Sequence, residues 1–215
     1  MKLGCVIMAC GQGTRFAAAG GAGDKLLADV AGLPLIVRTV ASVPADAFER
    51  VLCVRDAHVA RAVEAAGLAV KTVDVAQGAP LRSEVVRCGL AAGRDRWEGC
   101  LFLPGDQPLV STASFRRLAE AFRKDPTRAY RLSWEGAAGS PVLFPRACFD
   151  GLMALSGAQG GGALLRRGEV TISLVPAHGG CELLDVDTPA DLERAVRCVR
   201  EHAGRNVGAP SRDTR

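Results

Sequence analysis

A doubly wound, mostly parallel α/β sheet with helices on both faces is the fold this sequence predicts, and three observations predict it. Between Leu3 and Pro104, short apolar runs alternate with longer amphipathic stretches. The apolar runs are hydrophobic on both faces, as strands covered from each side must be. A repeated strand–helix–strand order demands parallel pairing through right-handed crossovers.

The elements follow in order. LGCVIM (3–8), RVLCV (50–54), AVKTV (69–73) and CLFLP (100–104) read as buried strands. Residues 34–43, 57–66 and 81–92 carry apolar positions at helical spacing between them. Further on, AYRLS (129–133), PVLF (141–144), VTISLVP (170–176) and ELLDV (182–186) read as strands. The glycine-rich run GAQGGGALLRR (157–167) interrupts them, with a helix beginning near Gly162. A last helix is expected over 189–203, with Pro189 in its first turn and Thr188 as its cap. Residues 1–203 thus form one domain, and 204–215, GRNVGAPSRDTR, read as a disordered tail without periodicity.

Composition narrows the class. A chain of 215 residues can bury roughly 70% of its unfolded surface and needs no staples to fold. Its net charge of +4 is modest. Arg194, Arg197, Arg200, Arg205, Arg212 and Arg215 gather near the C-terminus, but no aromatic residues interleave with them, so nucleic acid is not an expected partner. The eight cysteines form no C-x-x-C unit, and several lie in apolar runs, where Cys acts as a small buried hydrophobe. No stretch approaches a membrane span, and the apolar start is too short for a signal peptide. Free thiols without an export signal point to the cytoplasm.

Three segments carry chemistry. MACGQGTRFAAAGGAGDKLL (8–27) follows the first strand, and ligands of doubly wound sheets bind beyond the carboxyl ends of the strands. Gly11 and Gly13 would let backbone N–H groups approach phosphate oxygens, while Arg15 and Lys25 supply positive charge. The alternative is a plain surface turn. Phe16 stands where a dinucleotide fingerprint needs glycine, and Asp24-Lys25-Leu26 does not fit a P-loop. In LFLPGDQPLV (101–110), Asp106 either holds Mg²⁺ at the mouth of the sheet or accepts hydrogen bonds within its turn. In ELLDVDTPADLE (182–193), Asp185 and Asp187 lie on one side of a strand end, where either can be a second metal ligand, or Asp187 a helix cap.

In this order, a strand followed by G-x-G-x-R and a lysine, then GDQP, then LDVDTP before a terminal helix resembles the MobA-like nucleotidyltransferase family. Within that family the molybdenum cofactor cytidylyltransferases are the most similar branch. LLADVAGLPLIVRTV (26–40), LRSEVVRCGLAA (81–92), GSPVLFPRACF (139–149) and the GGGALLRR run also sit where the family has similar segments. The resemblance implies a Rossmann-like nucleotidyltransferase fold and attack by an acceptor phosphate on the α-phosphorus of a nucleoside triphosphate, releasing pyrophosphate. It implies that the loop residues Ala9, Cys10, Gly11, Gly13 and Thr14, with Arg82 and Ser83, hold the nucleotide. Arg15 would grip the β- and γ-phosphates and Lys25 the α-phosphate. Asp106 with Asp185 or Asp187 would hold Mg²⁺, and Gly139, Ser140 and Pro141 would lie near the acceptor. A molybdopterin-type acceptor, and a molybdoenzyme or its maturation factor as protein partner, also follow from the resemblance. CTP is expected over GTP, because Cys10 projects a side chain where guanine-using relatives have glycine. Arg15 and Lys25 are separated by a longer loop than in the family, so Lys25 is expected to ride on a mobile segment. A guanylyltransferase, a sugar- or polyol-phosphate cytidylyltransferase, and a non-catalytic cofactor-binding chaperone are the competing functions.

Overall fold

The structure is a computed structural model that describes residues 1–75 and 78–207, with 202–207 as backbone only. Its strands are β1 (Leu3–Ala9), β2 (Asp29–Val30), β3 (Leu33–Pro34), β4 (Glu49–Val54), β5 (Lys71–Asp74), β6 (Gly99–Pro104), β7 (Ala129–Trp134), β8 (Ala137–Pro145) and β9 (Ile172–Pro176). The helices are α1 (Thr14–Ala18), α2 (Leu35–Ser42), α3 (Ala57–Ala65), α4 (Arg82–Ala91), α5 (Thr112–Lys124), α6 (Phe149–Met153), α7 (Gly162–Arg166) and α8 (Pro189–Val207).

Seven strands form one sheet in the order β5-β4-β1-β6-β8-β7-β9, and β2 and β3 make a small separate hairpin. Neighbours in the large sheet pair in parallel, except that β8 runs against both β6 and β7. The chain leaves β1 toward β4 and β5 on one side, then crosses back to β6 on the other. The carboxyl ends of β1 and β6 therefore flank the topological switch point, where α/β sheets open a ligand crevice.

Burial on both faces of β1 gives the sheet two cores. On one face Cys5, Ile7, Leu52, Leu101 and Leu103 pack under α2, α3, α5 and α8. On the other Val6, Val51, Cys53, Cys100 and Phe102 pack under α4, α6 and α7. Each fully buried aliphatic side chain contributes roughly 1.5–3 kcal/mol, so the central strands form a rigid base for the loops at their ends.

The doubly wound, mostly parallel sheet is as predicted. Several local readings change. The strand expected over 69–73 begins two residues later, on an edge where little is buried. Helix α5, where the sequence predicts no element, is capped by Ser111, whose Oγ accepts from the Ser114 N–H at 3.1 Å. The strand expected over 182–186 is absent: Gly180–Leu183 form a 3-10 turn, and Val186 N–H donates to the Asp106 carbonyl instead of a strand ladder. Helix α8 runs on to Val207, past the expected end at 203; the rest of the expected tail, 208–215, lies outside the described residues. Its start is as read. Thr188 Oγ1 accepts from the Asp191 N–H at 3.2 Å, and the Asp191 carboxylate accepts from the Thr188 N–H at 3.0 Å, a reciprocal cap.

The expectation of eight free thiols is corrected. Cys181 and Cys198 are joined in a disulfide, which the absence of a C-x-x-C unit does not exclude because the 3-10 turn is carried against α8 by tertiary folding. Cys5, Cys10, Cys53, Cys88, Cys100 and Cys148 are free. Cross-linking residues 17 apart restricts the unfolded chain by roughly 3 kcal/mol. Cys181→Ser should therefore lower the denaturation midpoint, and reduced wild type should match it. Equal midpoints for oxidised wild type and the variant would argue that the bond contributes nothing. No helix among the described residues is long and apolar enough to cross a membrane.

Candidate active site

The loop after β1 is shaped by glycine where the backbone requires it. Gly13 precedes α1 at φ 63°, in the left-handed region where a side chain is strained, and no side chain caps the helix. The loop after β6 approaches it closely: Gly105 N–H donates to the Met8 carbonyl at 3.0 Å, and a Cβ on Gly105 would stand 3.0 Å from that oxygen. Thr39 Oγ1 holds the Gly105 carbonyl from α2 at 3.0 Å. Asp106 is thereby fixed opposite the glycine loop.

Four charged side chains meet at this point. Lys25 Nζ lies 2.7 Å from Asp106 Oδ2 and 3.2 Å from Asp187 Oδ1. Arg15 reaches the other oxygen of Asp187 at 2.8 Å. Lys25 is nearly enclosed, its side chain 8% exposed, whereas that of Arg15 is 75% exposed. Burial alone would lower the ammonium's pKa, but Asp106 and Asp187 outweigh it and hold the pKa above its ordinary value. Asp185 lies close by with its pKa raised, first by burial and then by the Asp106 and Asp187 charges, against the lowering effect of a Gln107 hydrogen bond. Gln107 is buried, and its Oε1 has no hydrogen-bond partner.

The segment expected to carry Lys25 as a mobile loop is hydrogen-bonded at both ends. Ala19, Gly20 and Gly21 N–H groups donate back to carbonyls of α1, and Gly21 rests on the Phe16 ring, where a Cβ would come within 2.2 Å. Asp24 then caps a 3-10 turn at Lys25–Leu27, accepting from Leu26 N–H at 2.9 Å. The long loop folds on itself and delivers the lysine inward.

A cavity of about 800 Å³ opens from this cluster. Cys10, Gly11, Gln12 and Arg15 form one wall, Leu81, Arg82 and Val85 a second, and Ser140, Val142 and Phe144 a third. Asp106, Asp185 and Asp187 lie at its base. A second cavity, about 690 Å³, shares Arg15, Asp185 and Asp187 and extends to Thr188, Arg194 and the disulfide.

Of the residues singled out in the sequence, Arg15, Lys25, Asp106 and Asp187 are brought into direct contact, with Asp185 beside them. Arg82, Cys10, Gly11 and Ser140 line the cavity. Ala9 is buried in the core beneath it, and Thr14 is exposed outside its lining. Ser83 is buried, with its hydroxyl donated to the Gly157 carbonyl at 2.8 Å, so it ties α4 to the glycine-rich run. Asp187 is not the cap of α8, a role Thr188 fills. Gln12, Gln107, Gly161 and Gly162 were not foreseen; Gln12 was legible as the middle of the glycine loop, the others only through packing.

The residues suit a hard divalent cation. Among the described residues no group of three or more His, Cys, Asp and Glu is gathered closely enough to hold a metal by itself. Asp106 and Asp187 do face a common point, now taken by an ammonium, and two carboxylates completed by phosphate oxygens are what Mg²⁺ accepts.

The strand order and the loop at the switch point are those of a nucleotidyltransferase. The chain belongs to the MobA-like NTP transferase domain family, whose model matches residues 5–172. No curated protein sequence matches it significantly. Among solved structures it is similar to Rv0371c from Mycobacterium tuberculosis H37Rv, with 27% identity over 92% of this chain and 98% of that one, TM-score 0.71. A manganese complex of the same mycobacterial protein is also similar, at 26% identity over 92% and 99% of the chains, TM-score 0.72. Molybdopterin-guanine dinucleotide biosynthesis protein A from Archaeoglobus fulgidus shares the fold at 17% identity, over 94% and 100% of the chains, TM-score 0.65.

Proposed function

We propose that this protein transfers a cytidylyl group from CTP, with Mg²⁺, to a phosphorylated acceptor of the molybdopterin type. The observation that carries the reading is Lys25 between Asp106 and Asp187 at the end of a glycine loop, with Arg15 beside them. These are the groups that in-line transfer on a triphosphate needs: cations for the phosphates and carboxylates for the metal. Asp106 and Asp187 are the carboxylates that would hold Mg²⁺. Bound there, the ion supplies neutralisation of the charge gathering on the α-phosphoryl group.

The remaining work belongs to the chain's own residues. Arg15 binds the β- and γ-phosphates from the open side of the site. Lys25 stabilises the pentacoordinate α-phosphorus. An acceptor phosphate monoester is largely ionised at neutral pH, with a second pKa of about 6, so no general base is required. This fits the histidines: neither His58 nor His178 lines either cavity. The acceptor enters along Ser140 and Val142, opposite the wall at Leu81 and Arg82.

Pyrophosphate release from each of the four nucleoside triphosphates, with and without molybdopterin, tests the reading. It requires release with CTP that depends on the acceptor. Release with a sugar or polyol phosphate alone would replace the acceptor, and no release at all would leave the chain a binding protein.

Base choice is tested at Cys10. Its thiol donates to the Cys53 carbonyl at 3.3 Å, and burial pushes its pKa up to about 12, so it is a neutral group turned toward β4. With the thiol engaged, it is the CH₂ that is left to narrow the cavity wall. A contact of that size is worth about 1–3 kcal/mol. Wild type should prefer CTP in kcat/KM, and Cys10→Gly should move the CTP-to-GTP ratio toward GTP by about tenfold. A ratio unmoved by the substitution removes Cys10 from base selection.

A further inference from the structure

Lys25 stands where a cation bound by Asp106 and Asp187 would stand. Its ammonium engages one oxygen of each carboxylate, and Arg15 takes the second oxygen of Asp187. A divalent cation drawn in by both carboxylates needs the same space and the same oxygens. The two cations exclude one another.

We propose that Lys25 makes this site selective for a metal–nucleotide complex over the free divalent cation. The inference rests on the reading of Asp106 and Asp187 as metal-binding residues. A free cation arriving alone must expel an enclosed ammonium from both of its carboxylate partners, leaving only the neighbouring Asp185 charge, and a buried charge that loses its partners is costly. A triphosphate brings its own anionic oxygens, which accept Lys25 and Arg15 as the metal takes the carboxylates. Charge is then balanced at every stage of entry.

The geometry allows this exchange without rebuilding the loop. The stem of Lys25 passes beneath Gly13, where a Cβ would lie 3.8 Å from Lys25 Cγ. The stem already lies beside the phosphate loop, so turning about the bonds beyond Cγ would move the ammonium from the carboxylates toward it. The Asp24 cap keeps the backbone of the 3-10 turn in place meanwhile. A permanent structural ion pair would behave differently, because it would neither yield to nucleotide nor oppose the metal.

Mn²⁺ is the probe, its binding to the full-length protein followed by the loss of the free-ion EPR signal without nucleotide. Wild type should bind Mn²⁺ weakly. Lys25→Met, which keeps the volume and removes the charge, should bind it roughly tenfold more tightly. Lys25→Arg should stay near wild type. Lys25→Gln, expected to tighten binding likewise, serves as the second uncharged variant should Lys25→Met not fold. The proposal is overturned if the uncharged variants bind Mn²⁺ no better than wild type while adding Asp106→Asn to them still weakens it. If Asp106→Asn leaves Mn²⁺ binding unchanged in every background, the carboxylates are not the metal site, and the functional reading itself falls.

Discussion

Asp106→Asn should leave a folded protein whose nucleotidyl transfer is slower by roughly a hundredfold or more, a loss on the order of 3 kcal/mol of transition-state stabilisation. The fold is expected to survive because Asp106 is held mainly through its backbone. Its carbonyl accepts from Val186 N–H at 3.0 Å, and the preceding Gly105 is fixed by Met8 and Thr39. An asparagine oxygen can still accept from Lys25, so the enclosed ammonium keeps a partner. What the amide cannot supply is charge for a hard cation. The deficit should therefore be largest at limiting Mg²⁺ and shrink partly as Mg²⁺ is raised. Thermal midpoints within a few degrees of wild type would separate this from unfolding. Near wild-type turnover at limiting Mg²⁺ would take Asp106 out of the site.

The sequence makes the central strands legible because their signal is local. CVI in β1 and CLFL in β6 are buried on both faces, as strands of a covered sheet must be. Helix α5 was equally legible in principle. Phe115, Leu118, Ala119 and Phe122 repeat at helical spacing behind the Ser111 cap, but Arg116, Arg117 and Glu120 between them mask the apolar stripe. The stretch 182–186 is apolar at Leu183, Leu184 and Val186, as a short strand can be, yet it crosses beside Asp106 at the carboxyl end of β6 and pairs with no strand. Its hydrogen bond to Asp106 satisfies the backbone instead. The Cys181–Cys198 bond depends on that same crossing, so spacing could not reveal it.

The site divides along a similar line. Residue types suited to the chemistry, Arg15, Lys25, Asp106 and Asp187, stand out in motifs because glycine and proline punctuate them. Their mutual arrangement does not stand out. A lysine at the end of a long small-residue loop reads as mobile, but the return hydrogen bonds to α1 and the Asp24 cap turn it inward. Ser83 carries a polar group beside Arg82, and only the position of Gly157 shows that its hydroxyl is already engaged.

Lys25→Ala should lower kcat by about a hundredfold while weakening triphosphate binding much less, equivalent to about 3 kcal/mol in the transition state. The asymmetry follows from where charge develops. Arg15, largely exposed at the open side of the site, can hold the β- and γ-phosphates in the ground state without help from Lys25. The α-phosphoryl oxygens gain charge only as the acceptor attacks, and a positive group beneath the loop is then worth most. Alanine also leaves Asp106 without its cation, facing an Asp187 that keeps only Arg15. Each is about one-fifth exposed, so water relieves part of that repulsion and the fold should lose only modest stability. A thermal melt in the presence of Mg²⁺ checks this, because the ion should restore what the lysine supplied. The kinetic signature is the decisive one. If the apparent KM for CTP rises and kcat stays near wild type, Lys25 is a ground-state binding residue, and the stabilisation of the pentacoordinate phosphorus must come from elsewhere in the site.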